Sequence, residues 1–138
     1  MEIMRATGLL AIVALFVSHT ATADVKRQKS IPESIWGSWA PSVEDCNKAE
    51  KSIITLAAKS YVSSEASCTI DWVSETPGTR GAIYSAHLQC SGAAEGPQKT
   101  VLDLVLWPMD VNEISVGADF SSLKTYLRCS ASAPASTR

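Results

Sequence analysis

Ala66-Ser67-Cys68-Thr69-Ile70-Asp71-Trp72-Val73-Ser74, the turn Pro77-Gly78-Thr79-Arg80-Gly81, and Tyr84-Ser85-Ala86-His87-Leu88-Gln89-Cys90 together decide the fold class. On both sides of the turn, apolar and polar residues alternate with a period of two, the pattern of half-buried β-strands. Cys68, Ile70 and Trp72 share one face of the first stretch. Tyr84, Ala86, Leu88 and Cys90 share one face of the second, with Ser85, His87 and Gln89 opposite. Pairing Thr76 with Ala82 across the turn sets Cys68 opposite Cys90, in an even register that keeps both apolar faces on one side.

The same period runs outward in both directions. Ile35 to Ala40 reads as a first strand stopped by Pro41, and Ser52 to Ala58 as a second. Between them Ser42-Val43-Glu44-Asp45 resembles a capping box, which predicts a short helical turn carrying Cys46. Lys99 to Trp107 continues the alternation, with Leu102, Leu104 and Leu106 inward and Asp103 outward. A short strand follows with Ile114 and Val116 inward. Leu123 to Cys129 is the last strand, with Leu123, Thr125, Leu127 and Cys129 on one face. Short strands with turn signals every dozen residues predict an all-β chain, a small antiparallel barrel or sandwich. A meander barrel of seven to eight short strands with two disulfides is the fold expected here.

The N-terminus reads as an export signal. Arg5 precedes an apolar run from Gly8 to Val17, and Ala21-Thr22-Ala23 supplies small residues for cleavage after Ala23. The run is about ten residues, half of the roughly 20 that a membrane-spanning helix needs, so no stable membrane span is expected. Residues 1–23 are the expected signal peptide, 24–34 a flexible N-terminal tail, 35–129 the barrel, and 130–138 a disordered tail rich in Ser, Ala and Pro. The mature chain of about 115 residues is one domain by size. A net charge of −2 argues against nucleic acid as a partner, because phosphate binding needs a basic face. Lys26, Arg27 and Lys29 in the tail are the local exception.

Cys46, Cys68, Cys90 and Cys129 form an even set, which in an exported chain favours disulfides. If the strands alternate in direction, Cys68 and Cys90 lie at one rim, and Cys46 and Cys129 at the other. Cys68–Cys90 with Cys46–Cys129 is therefore favoured, and sequential Cys46–Cys68 with Cys90–Cys129 is the rival. There is no Cys-x-x-Cys pair, and His87 is the one histidine after the leader, so no metal site is expected. Asp110-Val111-Asn112-Glu113 lacks the ligand count and glycine of a calcium loop and reads as a turn. No serine sits in a Gly-x-Ser-x-Gly elbow, and His87 falls on a solvent face. Catalysis needs groups that converge, and none do, so neither an enzyme nor a cofactor is expected.

Gly37-Ser38-Trp39 on the first strand resembles the Gly-x-Trp signature of calycin-type barrels, which include lipocalins and avidins. The resemblance implies that Trp39 plugs the closed end and that a basic residue of the last strand packs across it, here Arg128. The chain is also similar to periplasmic metalloprotease inhibitors of the Inh type, which place a cysteine shortly after Gly-x-Trp, as Cys46 follows Trp39 here. That resemblance implies an N-terminal segment, Asp24 to Glu33, inserted into a protease cleft. Inh-type chains usually carry one disulfide and no basic cluster in that segment, and here the sequence departs from them. The whole mature chain resembles uncharacterised periplasmic proteins of alpha-proteobacteria, whose last element reads here as Tyr126-Leu127-Arg128-Cys129.

The remaining tryptophans bear on partners. Trp36 and Trp39 differ by an odd number, so one faces out if the other is the plug. Trp107 shares an outward face with Val101, Asp103 and Val105, beside Pro108 and Met109. Trp107, Val105, Met109 and Trp36 are the candidate binding residues, as an exposed apolar patch marks a partner surface. The bland alternative is a second buried face, backed by the N-terminal tail or the Cys46 turn. The expectation is a periplasmic or secreted binding protein that catalyses nothing. Its partner is an unknown protein or a small apolar ligand, with Inh-like inhibition and apolar-ligand carriage as the alternatives.

Overall fold

A computed structural model of the chain describes residues 25–48, 52–91 and 100–129. Among the described residues the strands are β1 Lys26–Gln28, β2 Gly37–Ala40, β3 Ile54–Ala57, β4 Ser60–Val62 and β5 Ser67–Gly78. β6 Gly81–Ser91, β7 Thr100–Asp110, β8 Glu113–Gly117 and β9 Lys124–Arg128 complete the set. Two 3-10 turns, Glu33–Ile35 and Glu44–Asn47, flank β2, and the second carries Cys46. From β2 onward each strand pairs antiparallel with the next, and β9 pairs back on β2 through Trp39↔Arg128 and Ala40↔Leu127. The result is a closed eight-stranded meander barrel. No helix among these residues is long and apolar enough to cross a membrane. The expected signal peptide and the 130–138 tail lie outside the described residues.

The hairpin that decided the fold class contains a bulge that alternation does not reveal. Its loop is only Thr79-Arg80, and Gly81, at φ +120°, holds a conformation that L side chains avoid. This loop pairs Gly78 with Gly81 and fixes the register as far as Trp72↔His87. The cysteines, however, pair as Cys68↔Cys90, one residue out of step with the loop. Asp71 is the extra residue that reconciles the two, a β-bulge in β5. Thr76 therefore pairs with Ile83 rather than Ala82. Because one residue of slip exchanges the faces of a strand, Val73 enters the core and Trp72 turns outward. The expectation that Cys68, Ile70 and Trp72 share one face fails at Trp72 for this reason.

Inside the barrel, Trp39, Ile54, Leu56, Ile70, Val73, Ala86, Leu88, Leu104, Leu106, Ile114 and Val116 form one packed cluster. Cys68 and Cys90 belong to it at one end, and Ile31 and Ile35 at the other. Leu102 departs from its predicted inward place, being 46% exposed. β8 pairs with β7 only from Val105 onward, so Leu102 lies where the wall is built by β6 alone.

The N-terminal segment is not a free tail. β4 pairs with Ser67–Thr69 of the long strand β5, and β1 takes the same edge further along, as Lys26↔Glu75, Arg27↔Ser74 and Gln28↔Val73. Backbone groups of β5 that β4 is too short to reach are thereby hydrogen-bonded. Ile31 then enters the core, its N–H donating to the Ala58 carbonyl at 3.0 Å. One buried apolar side chain and pairing along a vacant strand edge both tie the segment to the barrel.

Candidate functional site

Gly37, Trp39 and Arg128 come together at the end of the barrel closed by Ile31 and Ile35. Trp39 is fully buried, and its Nε1 donates to the Ile35 carbonyl at 3.1 Å. The Arg128 guanidinium lies 4.2 Å from the centroid of the Trp39 ring. Its nitrogens donate to three carbonyls in different segments: Nε to Val111 at 2.9 Å, Nη1 to Trp36 at 2.8 Å and Nη2 to Ser34 at 2.7 Å. Gly37 sits at φ +122°, where a Cβ would stand 3.4 Å from Arg128 Nη1. The glycine is thus required by its backbone angle, while the arginine beside it would only be brought into contact. Each nitrogen of the guanidinium and the indole nitrogen of Trp39 has a backbone acceptor, which ties the group into the end of the barrel as a plug. Trp36 is on the outside of that plug, with its Nε1 bonded to the Ile31 carbonyl at 3.1 Å.

The disulfides are Cys46–Cys129 and Cys68–Cys90. Cys68 and Cys90 are paired residues at the start of β5 and the end of β6. The other bridge needs a different explanation from shared rims, because with eight strands β9 ends beside the beginning of β2. Cys129 N–H donates to the Ser38 carbonyl at 2.9 Å, and the Glu44–Asn47 turn packs back on β2 to bring Cys46 within reach. Ala40 is buried on the outward face near this bridge, apart from the interior cluster.

Trp107 and Val105 both point outward from β7, as their neighbours Leu104 and Leu106 point in. Val105 is buried on this outer face, while Trp107 and Met109 are half-buried. Against Trp107 lies the β8–β9 connection. Phe120 of that connection meets the Trp107 ring edge-on at 6.3 Å between centroids, yet is itself 61% exposed. Trp107 Nε1 is out of contact with solvent and has no hydrogen-bond partner among the described residues. An indole N–H is a donor only, so this group has given up water for nothing.

The connection is held down by Asp119. Its carboxylate accepts from the Ser121 hydroxyl at 2.6 Å and from the Ser121 and Ser122 amides at 2.9 and 3.0 Å. Gly117 admits the close return of the chain, for a Cβ there would stand 2.7 Å from the Ser122 carbonyl oxygen. Hydrogen bonds led by the Ser121 and Ser122 side chains hold the Asp119 carboxyl below its ordinary value of 3.8. A depressed carboxyl contributes order that is complete above the ordinary value and is lost as pH falls through the lower, folded value. Protection of the Ser121 and Ser122 amides, measured relative to their intrinsic exchange, is therefore expected to persist above the ordinary carboxyl value and to be lost as pH falls through the lower, folded one. Asp119→Asn should show less of this pH dependence, and an unchanged profile would remove Asp119 as the anchor.

Two further constellations escaped the sequence, the first because it depends on the bulge and on β1, the second because it depends on the short strand β4. On the outer face of β1, β5, β6 and β7, Arg27 lies 4.2 Å over Trp72 and His87 stacks on Trp72 at 5.0 Å. His87 Nδ1 meets Asp103 Oδ1 at 2.8 Å, which completes a row of four side chains. Strand order puts Arg27 and His87 on opposite sides of Trp72, so both faces of the indole are occupied. The second is a pocket of about 280 Å³ at the barrel mouth, among Tyr61, Ser63, Glu65, Lys124 and Tyr126. Burial pushes the hydroxyls of Tyr61 and Tyr126 up, with a bond to Ser63 offsetting part of the shift at Tyr61. The lining is polar and suits a small polar molecule rather than an apolar ligand.

No protein-family model, curated protein or solved structure matches this chain. The closed antiparallel barrel is what the calycin resemblance implied, and it is reached here through the geometry alone.

Proposed function

We propose that this chain is a non-catalytic, exported binding protein that works from the outer face of β7 and β8. The observation that carries the reading is the pair Trp107 and Phe120: an indole donor without an acceptor, beneath an exposed aromatic ring. Aromatic residues of this kind are what partner surfaces concentrate. The two disulfides are compatible with an oxidising, exported location.

The alternatives find less support. A carrier of apolar ligands needs interior room, whereas Trp39, Leu56, Leu88, Leu106 and Ile114 occupy the barrel. An Inh-like inhibitor needs the segment up to Glu33 free to enter a cleft, whereas β1 is paired to β5 and Ile31 is buried. The test is capture of proteins from the native cell envelope and culture fluid on the full chain and on Trp107→Phe with Phe120→Ser. A partner lost with the double variant is expected. Capture indifferent to both changes, or a small molecule released from the purified protein, overturns the reading.

A further inference from the structure

We infer that the Trp107 face takes a cationic, extended peptide segment of a partner protein, one backbone carbonyl of which accepts the hydrogen bond that Trp107 Nε1 lacks. The inference rests on the outer-face reading above and adds the chemistry of the partner. Residues 100–123, which build β7, β8 and the connection bearing Phe120, contain Asp103, Asp110, Glu113 and Asp119. They contain no Lys, Arg or His, in a chain that as a whole carries 12 Lys and Arg against 14 Asp and Glu. Glu113 shares the outward face with Ser115, the residue paired with Trp107, and Asp110 closes the turn beside it. The next cation along the chain, Lys124, is paired with the inward-facing Val116 and lines the mouth pocket instead. Arg128 reaches the Val111 carbonyl of the same turn but is committed to the plug over Trp39, and Asp103 is paired with His87. That leaves Asp110 and Glu113 as the charges this face offers, and their complement is a basic partner.

The missing acceptor narrows the class further. Lys and Arg side chains carry no acceptor, so the cationic side chains themselves cannot meet the indole N–H, whereas every residue of the segment offers a backbone carbonyl. Helices and sheets consume their own carbonyls, while an extended, proline-containing segment leaves them free. Such a segment also lays apolar side chains against an aromatic pair, with its cationic arms over the rings. Phe120 must lift for the carbonyl to arrive. It is exposed on a short connection, so its displacement leaves the barrel unchanged.

The probe is the synthetic peptide acetyl-Lys-Pro-Leu-Pro-Lys-Pro-Leu-Pro-Lys-amide, with a second peptide carrying Glu at each Lys position. Binding to the full chain is read by NMR at the Trp107 indole proton and by titration. The lysine peptide is expected to bind, to move that proton downfield, and to weaken as salt is raised from about 20 to about 200 mM. Trp107→Phe keeps the packing and removes the donor, and is expected to weaken binding about tenfold. Asp110→Asn with Glu113→Gln, which leaves the indole and Phe120 in place, is expected to weaken binding and flatten the salt dependence. Equal binding of the glutamate peptide, or no binding of the lysine peptide, overturns the inference. If envelope capture still depends on Trp107 in that case, only the partner chemistry falls; if it does not, the outer-face reading falls as well.

Discussion

Replacing Cys46 and Cys129 together by serine is expected to lower the unfolding free energy by about 4.5 kcal/mol, and the Cys68, Cys90 pair by about 3.4 kcal/mol, on the chain-entropy account. The difference comes from the spans closed, 83 residues against 22. With Cys68–Cys90 intact the longer loop is already shortened, which trims its figure by a few tenths of a kcal/mol. Location widens the gap again. The Cys68–Cys90 bridge joins residues that eleven-residue strand pairing already holds opposite each other. The Cys46–Cys129 bridge secures the seam where β2 and β9 meet over only two residue pairs. Urea unfolding of both double variants, with free thiols checked in the parent, measures the two costs. Equal losses would mean that the β2–β9 seam holds without its bridge.

Alternation read correctly wherever a strand is regular and paired on both sides. Cys68, Ile70, Ala86, Leu88, Leu104, Leu106, Ile114 and Val116 all occupy the interior for which their spacing marked them. The failures share a cause, which is that neighbours outside the strand decide the outcome. Asp71 bulges because a two-residue loop and a cysteine pair demand different registers, and neither demand is visible in the strand itself. β1 exists because β5 outruns β4, and a three-residue basic segment gives no periodic signal of its own. β4 was hidden for the same reason, being three residues long. The covering of Trp107 was foreseen as one of two outcomes, but its agent was not. Phe120 lies in a polar loop, Ala118-Asp119-Phe120-Ser121-Ser122, and only the β7–β8 register places that loop over the indole.

Arg128→Ala is expected to cost about 3–5 kcal/mol, and Arg128→Lys to recover less than half of it. The plug depends on shape more than on charge. Three carbonyls, from Ser34, Trp36 and Val111, approach the guanidinium from the 3-10 turn, the entry to β2 and the β7–β8 turn. A planar fork can donate to all three while lying flat over Trp39. A lysine ammonium offers three donors from a single point, and its reach to Ser34 and Val111 at once would lift it off the ring. Alanine leaves all three acceptors to water or to nothing and uncovers one face of the indole. The measurement is urea unfolding followed by tryptophan fluorescence, with amide exchange at Trp36 and Asn112 as the local readout. If lysine restored the parent's stability, a positive charge over Trp39 would suffice, and the three carbonyl bonds would be incidental. If lysine and alanine are both costly, the last strand is locked to the first by geometry that only arginine supplies. Gly37 belongs to the same lock through its backbone angle of φ +122°, which turns the Trp36 carbonyl's segment into β2 beside Nη1.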